Sequence, residues 1–250
     1  MFFLRDFFLS LLFVFGLTSC LYAEMSDLDD DVALDSDLLF VSLGSMCEPA
    51  HMLRFCEMRK AAFPFDWIVS FDGESIIEML ENDFQDFLNQ NFFKTYGAAL
   101  LHTNYHLEFL HEGDWGGNQY LLNMEKLKTK YERRIERFRQ LKNYSGKVIF
   151  LRASYLYSMN DPHRFYKYEA NIEITEEYSL RLYGAIKEYF PDLDFSLIII
   201  NMHYGEEIVQ EKALGPNLRI FSANPSLETP IKIASYNRFF NQLIRDLSTN

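Results

Sequence analysis

Cys47 is the residue in this chain best placed by its neighbours to do covalent chemistry. It stands in the run VSLGSMCEPAHMLR, residues 41–54. Residues 38–43 are a short apolar run closed by Gly44-Ser45, which predicts a strand and a tight turn. Pro49 suits the first turn of a helix, where its missing N–H is not needed. Cys47 is therefore expected at a helix start. Unpaired N–H groups and the helix dipole favour an anion there, so the thiol should ionise more readily than an ordinary cysteine. A thiol of that kind is a nucleophile in search of a base. Six histidines are available: His51, His102, His106, His111, His163 and His203. His51 lies one helical turn after Cys47, close enough to tune it but leaving little room for a substrate between them. His111 ends an extended run before a Gly-Asp loop. His203 follows a predicted core strand and is its rival.

Other groups suit other chemistries. His102, His106, His111, Glu108 and Glu112 are five ligand-type residues within eleven positions. Their spacing fits no helical HExxH pattern, and on a strand they would split between two faces, so no metal is expected. There is no glycine-rich phosphate loop and no GxSxG elbow, and no cofactor is expected. Cys56 falls about 13 Å further along the same predicted helix, too far to pair with Cys47, and reads as core. Asp66 sits inside the aromatic segment FPFDW, where a buried acid needs a partner or caps a turn. Arg152 ends the apolar run KVIFLR. With the helix N-terminus after Gly44 it could hold an anionic ligand, which would make the chain a transferase or a non-catalytic binding protein.

These residues must be carried by a frame. Residues 147–152, 195–201 and 218–222 read as further strands. Helices are expected over 73–88, 119–143, 175–190 and 231–247, with two strands near 98–101 and 105–110. Leu127, Tyr131, Ile135, Phe138 and Leu141 form the buried stripe of the helix over 119–143. Its many lysines and arginines, Lys130 and Arg134 among them, read as a solvated side. Strand, helix and strand in succession predict an α/β fold, a mixed, largely parallel sheet flanked by helices on both faces. In such sheets sites gather beyond the carboxyl ends of the strands, where Cys47, Arg152, Asn201 and His203 all fall.

The ends carry other signals. Residues 7–18 are apolar after Arg5, too short for a comfortable bilayer span, and 1–23 reads as a signal peptide or N-terminal anchor. Cys20 ends a lipobox-like run, and Ala23 offers an ordinary cleavage site, so an exported or lipid-anchored protein is expected, with a membrane tether through the N-terminus. Residues 24–37 hold seven acids and no base and read as an acidic linker. Residues 38–250 form a single expected domain. The net charge of −12 excludes the basic footprint that nucleic-acid binding needs.

VSLGSMCEPAHMLR, FPFDWIVS and LENDFQDFL together resemble the bacterial DUF1796 group, proteins described as papain-like cysteine peptidases. The resemblance extends to Phe109-Leu110-His111-Glu112 and Phe150-Leu151-Arg152 and covers roughly 38–200. It implies Cys47 as nucleophile, His111 as general base and a peptide or other acyl substrate. Asp66 and Arg152 fall on motif positions without an assigned role. A third group orienting the histidine is implied too, with Asp114 and Asn201 as candidates. Met46 replaces a polar residue of the family pattern, and Glu112 replaces an aspartate. The resemblance also implies an alternative architecture, papain-like α+β, with a helix on an antiparallel sheet.

Overall fold

The computed structural model describes residues 36–45, 47–70, 73–96, 99–109, 112, 124–154, 174–202, 210–223 and 229–248. The strands are β1 (Leu38–Ser42), β2 (Ile68–Val69), β3 (Phe93–Tyr96), β4 (Ala99–His102), β5 (Leu107–Phe109), β6 (Lys147–Ala153), β7 (Phe195–Met202), β8 (Gln210–Gly215) and β9 (Leu218–Ala223). The helices are α1 (Glu48–Phe55), α2 (Glu74–Glu81), α3 (Met124–Gln140), α4 (Glu176–Tyr189) and α5 (Thr229–Ser248).

The main sheet has the order β1-β6-β7-β9-β8, and every pairing is parallel except β8 with β9. Parallel strands need crossovers, and a sheet covered on both faces needs strands apolar at every position. β7 meets that demand, with all eight residues buried. Alternate residues feed two cores. Leu39, Val41, Val148, Phe150, Leu197 and Ile199 face the larger cluster with α2, α3 and α4. Phe40, Ile149, Leu151, Ile198 and Ile200 face Met52 and Leu53 of α1 and Tyr236, Phe240 and Leu243 of α5. The expected α/β architecture is thus the observed one. A second sheet, β2-β5-β4-β3, is antiparallel. It does not carry Cys47, which follows a parallel strand, so the papain-like α+β alternative is not the arrangement at the thiol.

Three departures from the sequence reading have local causes. α2 ends at Glu81 instead of 88, because Asp83, Phe84 and Asp86 all take positive φ. Aspartate tolerates that region, and Asp83 is further held by Arg139 and Tyr189. Phe84 and Phe87 are buried all the same. β8 lacks an apolar signature, since it is an edge strand whose Glu211 and Lys212 are exposed and charged. On α3 the apolar stripe from Leu127 to Phe138 is buried, as is Leu141 just past its end, but so are Lys130 and Arg134, which corrects their reading as a solvated side. Among the described residues no helix is long and apolar enough to cross a membrane.

Candidate active site

The turn after β1 is built to one shape. Gly44 has φ 69° and Ser45 φ 104°. A side chain at Gly44 would put its Cβ 2.6 Å from the Phe65 carbonyl oxygen, so the close approach of these two segments requires glycine. Ser45 is in the positive-φ region without being glycine, a sparsely populated conformation that surrounding contacts must hold. Several contacts do so. The Gly44 N–H donates to Ser42 Oγ at 3.1 Å, the Ser70 N–H donates to the Ser45 carbonyl at 3.0 Å, and Ser45 forms a lone bridge with Val69. Met46 lies outside the described residues.

Cys47 comes next, as the N-cap residue of α1. Its carbonyl accepts the His51 N–H at 2.9 Å, closing the first turn. Its side chain makes no capping hydrogen bond, although cysteine occupies a position usually held by Ser, Thr or Asp. The thiol is half-buried. Cys56 stands at the other end of α1, as its C-cap. Burial pushes the Cys56 thiol up to about 11. Both residues are thiols, not halves of a disulfide.

The FPFDW segment runs alongside α1 and holds it at both ends. Phe65 backs Gly44. Asp66 is buried and accepts Arg59 Nη2 at 2.8 Å, Arg59 Nε at 3.1 Å and the Phe63 N–H at 3.0 Å. The Arg59 guanidinium lies 5.4 Å from the centre of the Trp67 ring. Trp67 meets the His51 ring edge-on at 5.0 Å, and Phe55 stacks on His51 at 5.7 Å. His51 is therefore packed between aromatic rings one turn from Cys47. Asp66 is a brace for the chain leaving α1. The sequence missed Arg59 as its partner, seven residues upstream, because the pair is closed by the turn at Phe63 and not by helical spacing.

Residues 38–205 match the family model described as "Putative papain-like cysteine peptidase (DUF1796)". The chain belongs to this family. It is also similar to "Uncharacterized protein R408" of Acanthamoeba polyphaga mimivirus, 26% identical over 143 residues, covering 48% of this chain and 63% of that one. The chain thus spans less than two thirds of that relative's length. No solved structure matches. The DUF1796 match contains Cys47, Asp66, Arg152 and Asn201 and leaves β8, β9 and α5 outside it.

Arg152 is buried, and its two terminal nitrogens bond to the residues around it, while its Nε has no hydrogen-bond partner among the described residues. Its Nη1 donates to the Leu43 carbonyl at 2.9 Å and to Ser70 Oγ at 3.1 Å, and its Nη2 donates to the Ser70 carbonyl at 2.7 Å. It ties the end of β1 to the end of β2, one residue from the Gly44 turn. The anion-holding role read for it from the sequence finds no support in this geometry. Asn201 is engaged in the same way. Its amide accepts the Ile174 N–H at 2.9 Å and donates to the Ile174 carbonyl at 3.0 Å, fixing the approach to α4. It is a backbone anchor.

His111, His163, His203 and Asp114 lie outside the described residues. Glu112, next to His111, is described. Its carboxylate accepts Lys130 Nζ at 3.0 Å and 3.3 Å and the Tyr131 hydroxyl at 3.2 Å. The sequence missed this cluster, since it read Lys130 as part of a solvated side and nothing local ties Glu112 to a helix 18 residues on. His102 is core. Its Nδ1 accepts the Tyr105 N–H at 3.1 Å, and its Nε2 lies 3.2 Å from the Asp86 carbonyl, so it is a neutral ring donating from Nε2. Burial lowers its pKa below the ordinary histidine range. His106 is exposed in the turn before β5. Among the described residues no three His, Cys, Asp or Glu side chains are placed to hold a metal ion.

Proposed function

We propose that the protein is a cysteine-type hydrolase, a peptidase by its family, with Cys47 as nucleophile and His111 as general base. The observation that carries this reading is Cys47 at the start of α1, at the carboxyl end of a parallel strand. In the reaction His111 takes the thiol proton and the Cys47 sulfur attacks the substrate carbonyl. Charge develops on the carbonyl oxygen near the first N–H groups of α1, which supply donors for it. His111 returns the proton to the leaving amine as the C–N bond breaks, giving a thioester. Water, deprotonated by His111, then releases the acid and the thiolate.

The test is labelling of the folded protein with iodoacetamide across pH, read by peptide mass. Cys47 should react well below the ordinary thiol pKa of about 8.5, and Cys47→Ala should abolish hydrolysis of a denatured protein substrate. Labelling of Cys47 only above that pH, or hydrolysis retained in Cys47→Ala, would overturn the reading. Residues 1–23 as leader or anchor and 24–37 as linker complete the proposal. With them the domain would work outside the cytosol, which fractionation of tagged cells would test.

A further inference from the structure

Lys130, Arg134 and Arg137 follow one another along one face of α3, one turn apart. The outer two are engaged. Lys130 pairs with Glu112 at 3.0 Å, and Arg137 Nη1 donates to the Ala62 carbonyl at 2.6 Å. Arg134, between them, is 0% exposed, and none of its three side-chain nitrogens has a hydrogen-bond partner among the described residues. The centre of the Tyr131 ring lies 5.2 Å from its guanidinium carbon. A ring face attracts the charge but leaves the five N–H groups without an oxygen to bond. The carboxylates of this region are already taken. Burial, then the charges of Glu112 and Asp66, raise the Tyr131 pKa well above that of an ordinary phenol, which places both carboxylates near the ring. Glu112 accepts Lys130 and the Tyr131 hydroxyl, and Asp66 accepts Arg59 and the Phe63 N–H. Glu108 alternates along β5 with Phe109, whose ring meets Tyr131, and so faces the other side of its sheet. The buried pairs around Arg134 are closed, and its charge is the one left over.

An arginine cannot escape burial by giving up its proton. A guanidinium taken out of water needs an opposite charge with oxygen acceptors to offset the hydration it has lost. We propose that Arg134 anchors a binding site for a carboxylate ligand. Its planar fork matches both oxygens of a carboxylate at once. A carboxylate brings one negative charge, which balances the one left over, whereas a phosphate monoester brings nearly two at pH 7. The cluster meets solvent at Lys130 and Glu112, whose side chains are 11% and 7% exposed, and the ligand enters from that end. The site does not depend on the reading of Cys47 as nucleophile.

Thermal melting of the full chain tests it, with sodium acetate replacing sodium chloride at constant ionic strength and neutral pH. Acetate should raise the melting temperature of the wild type by several degrees, further with each increment of concentration, as a ligand of the folded state does. Arg134→Met should lose that rise. Arg139→Gln removes a surface arginine paired with Asp83 and should keep it, which separates binding from a general effect of the salt. No rise in the wild type, or the same rise in Arg134→Met as in the wild type, overturns the proposal. If Arg134→Met fails to fold, Arg134→Lys decides: it keeps the charge and loses the fork, so it should need far more acetate for the same rise, and an unchanged response overturns the proposal. Trialanine and its C-terminal amide distinguish two sources of the carboxylate. A peptide end is the ligand if trialanine acts at lower concentration than acetate while the amide does nothing, and a small free carboxylate is the ligand if acetate alone acts.

Discussion

The two body cysteines sit at opposite ends of one eight-residue helix, in unlike surroundings. Cys47 is at the N-terminal end, where backbone N–H groups point outward and the dipole favours negative charge. Cys56 is at the C-terminal end, where carbonyls point outward and burial has pushed its thiol up to about 11. Residue type is the same and chain neighbourhood is similar. What differs is the end of the helix and what packs on it. The FPFDW segment serves both ends, backing the glycine turn before Cys47 and bracing Arg59 just past Cys56.

The hardest blow to this arrangement should come from the brace. Asp66→Ala leaves the Arg59 guanidinium buried with its carboxylate gone, a class of change that costs about 3–5 kcal/mol. Urea denaturation should show the loss in midpoint, and Asp66→Ala with Arg59→Met should recover part of it. Next comes the contrast of the thiols themselves. At pH 7 Cys47 should alkylate at least about 100-fold faster than Cys56, a gap of about 2.7 kcal/mol. Raising the pH toward 11 should close most of that gap as Cys56 ionises. Equal rates at pH 7 would dissolve the comparison.

A smaller effect is expected at the turn. Gly44→Ala forces a Cβ into the Phe65 carbonyl and a non-glycine residue into positive φ, worth roughly 1–2 kcal/mol for the dihedral alone. The melting temperature should fall, and Cys47 alkylation should slow more than Cys56 alkylation, since only one end of α1 is disturbed. The gentlest effect concerns His102, buried in the second sheet. Its folded-state pKa is lowered, so the unfolded chain binds the proton more readily, and stability falls as pH drops below the unfolded value of about 6.5. The loss is at most about 1.4 kcal/mol per pH unit. Tm measured from pH 7.5 to 5.5 should show it, and His102→Gln should flatten that slope while leaving the reactivity of Cys47 alone.

Elements with a strong local signature are legible in the sequence itself. The apolar runs of β1, β6 and β7 and the stripe on α3 tell both the class of fold and its covered faces. So does the place of Cys47, because a glycine turn, a cysteine and a proline in succession encode strand, turn and helix start together. Pairings between segments distant in sequence leave no such mark. Arg152 looks like a ligand group, since nothing nearby in sequence reveals that Leu43 and Ser70 take its N–H bonds. Glu112 looks like a loop acid, since Lys130 and Tyr131 belong to a later helix. Asn201 invites a catalytic role for the same reason. The polar residues hardest to read are those whose partners arrive by tertiary contact.

Among the described residues β1 is an edge strand whose ladder neighbour is β6, and the Arg152 bond that secures the turn after it spans 109 residues of chain. On the ribosome, at roughly 5–20 residues per second, about 5–20 seconds pass between the synthesis of the Cys47 turn and that of the strand that closes on it. Through that interval an unpaired apolar strand and two thiols are open to the surroundings together. The turn that carries Cys47 is thus made well before the strand that closes on it.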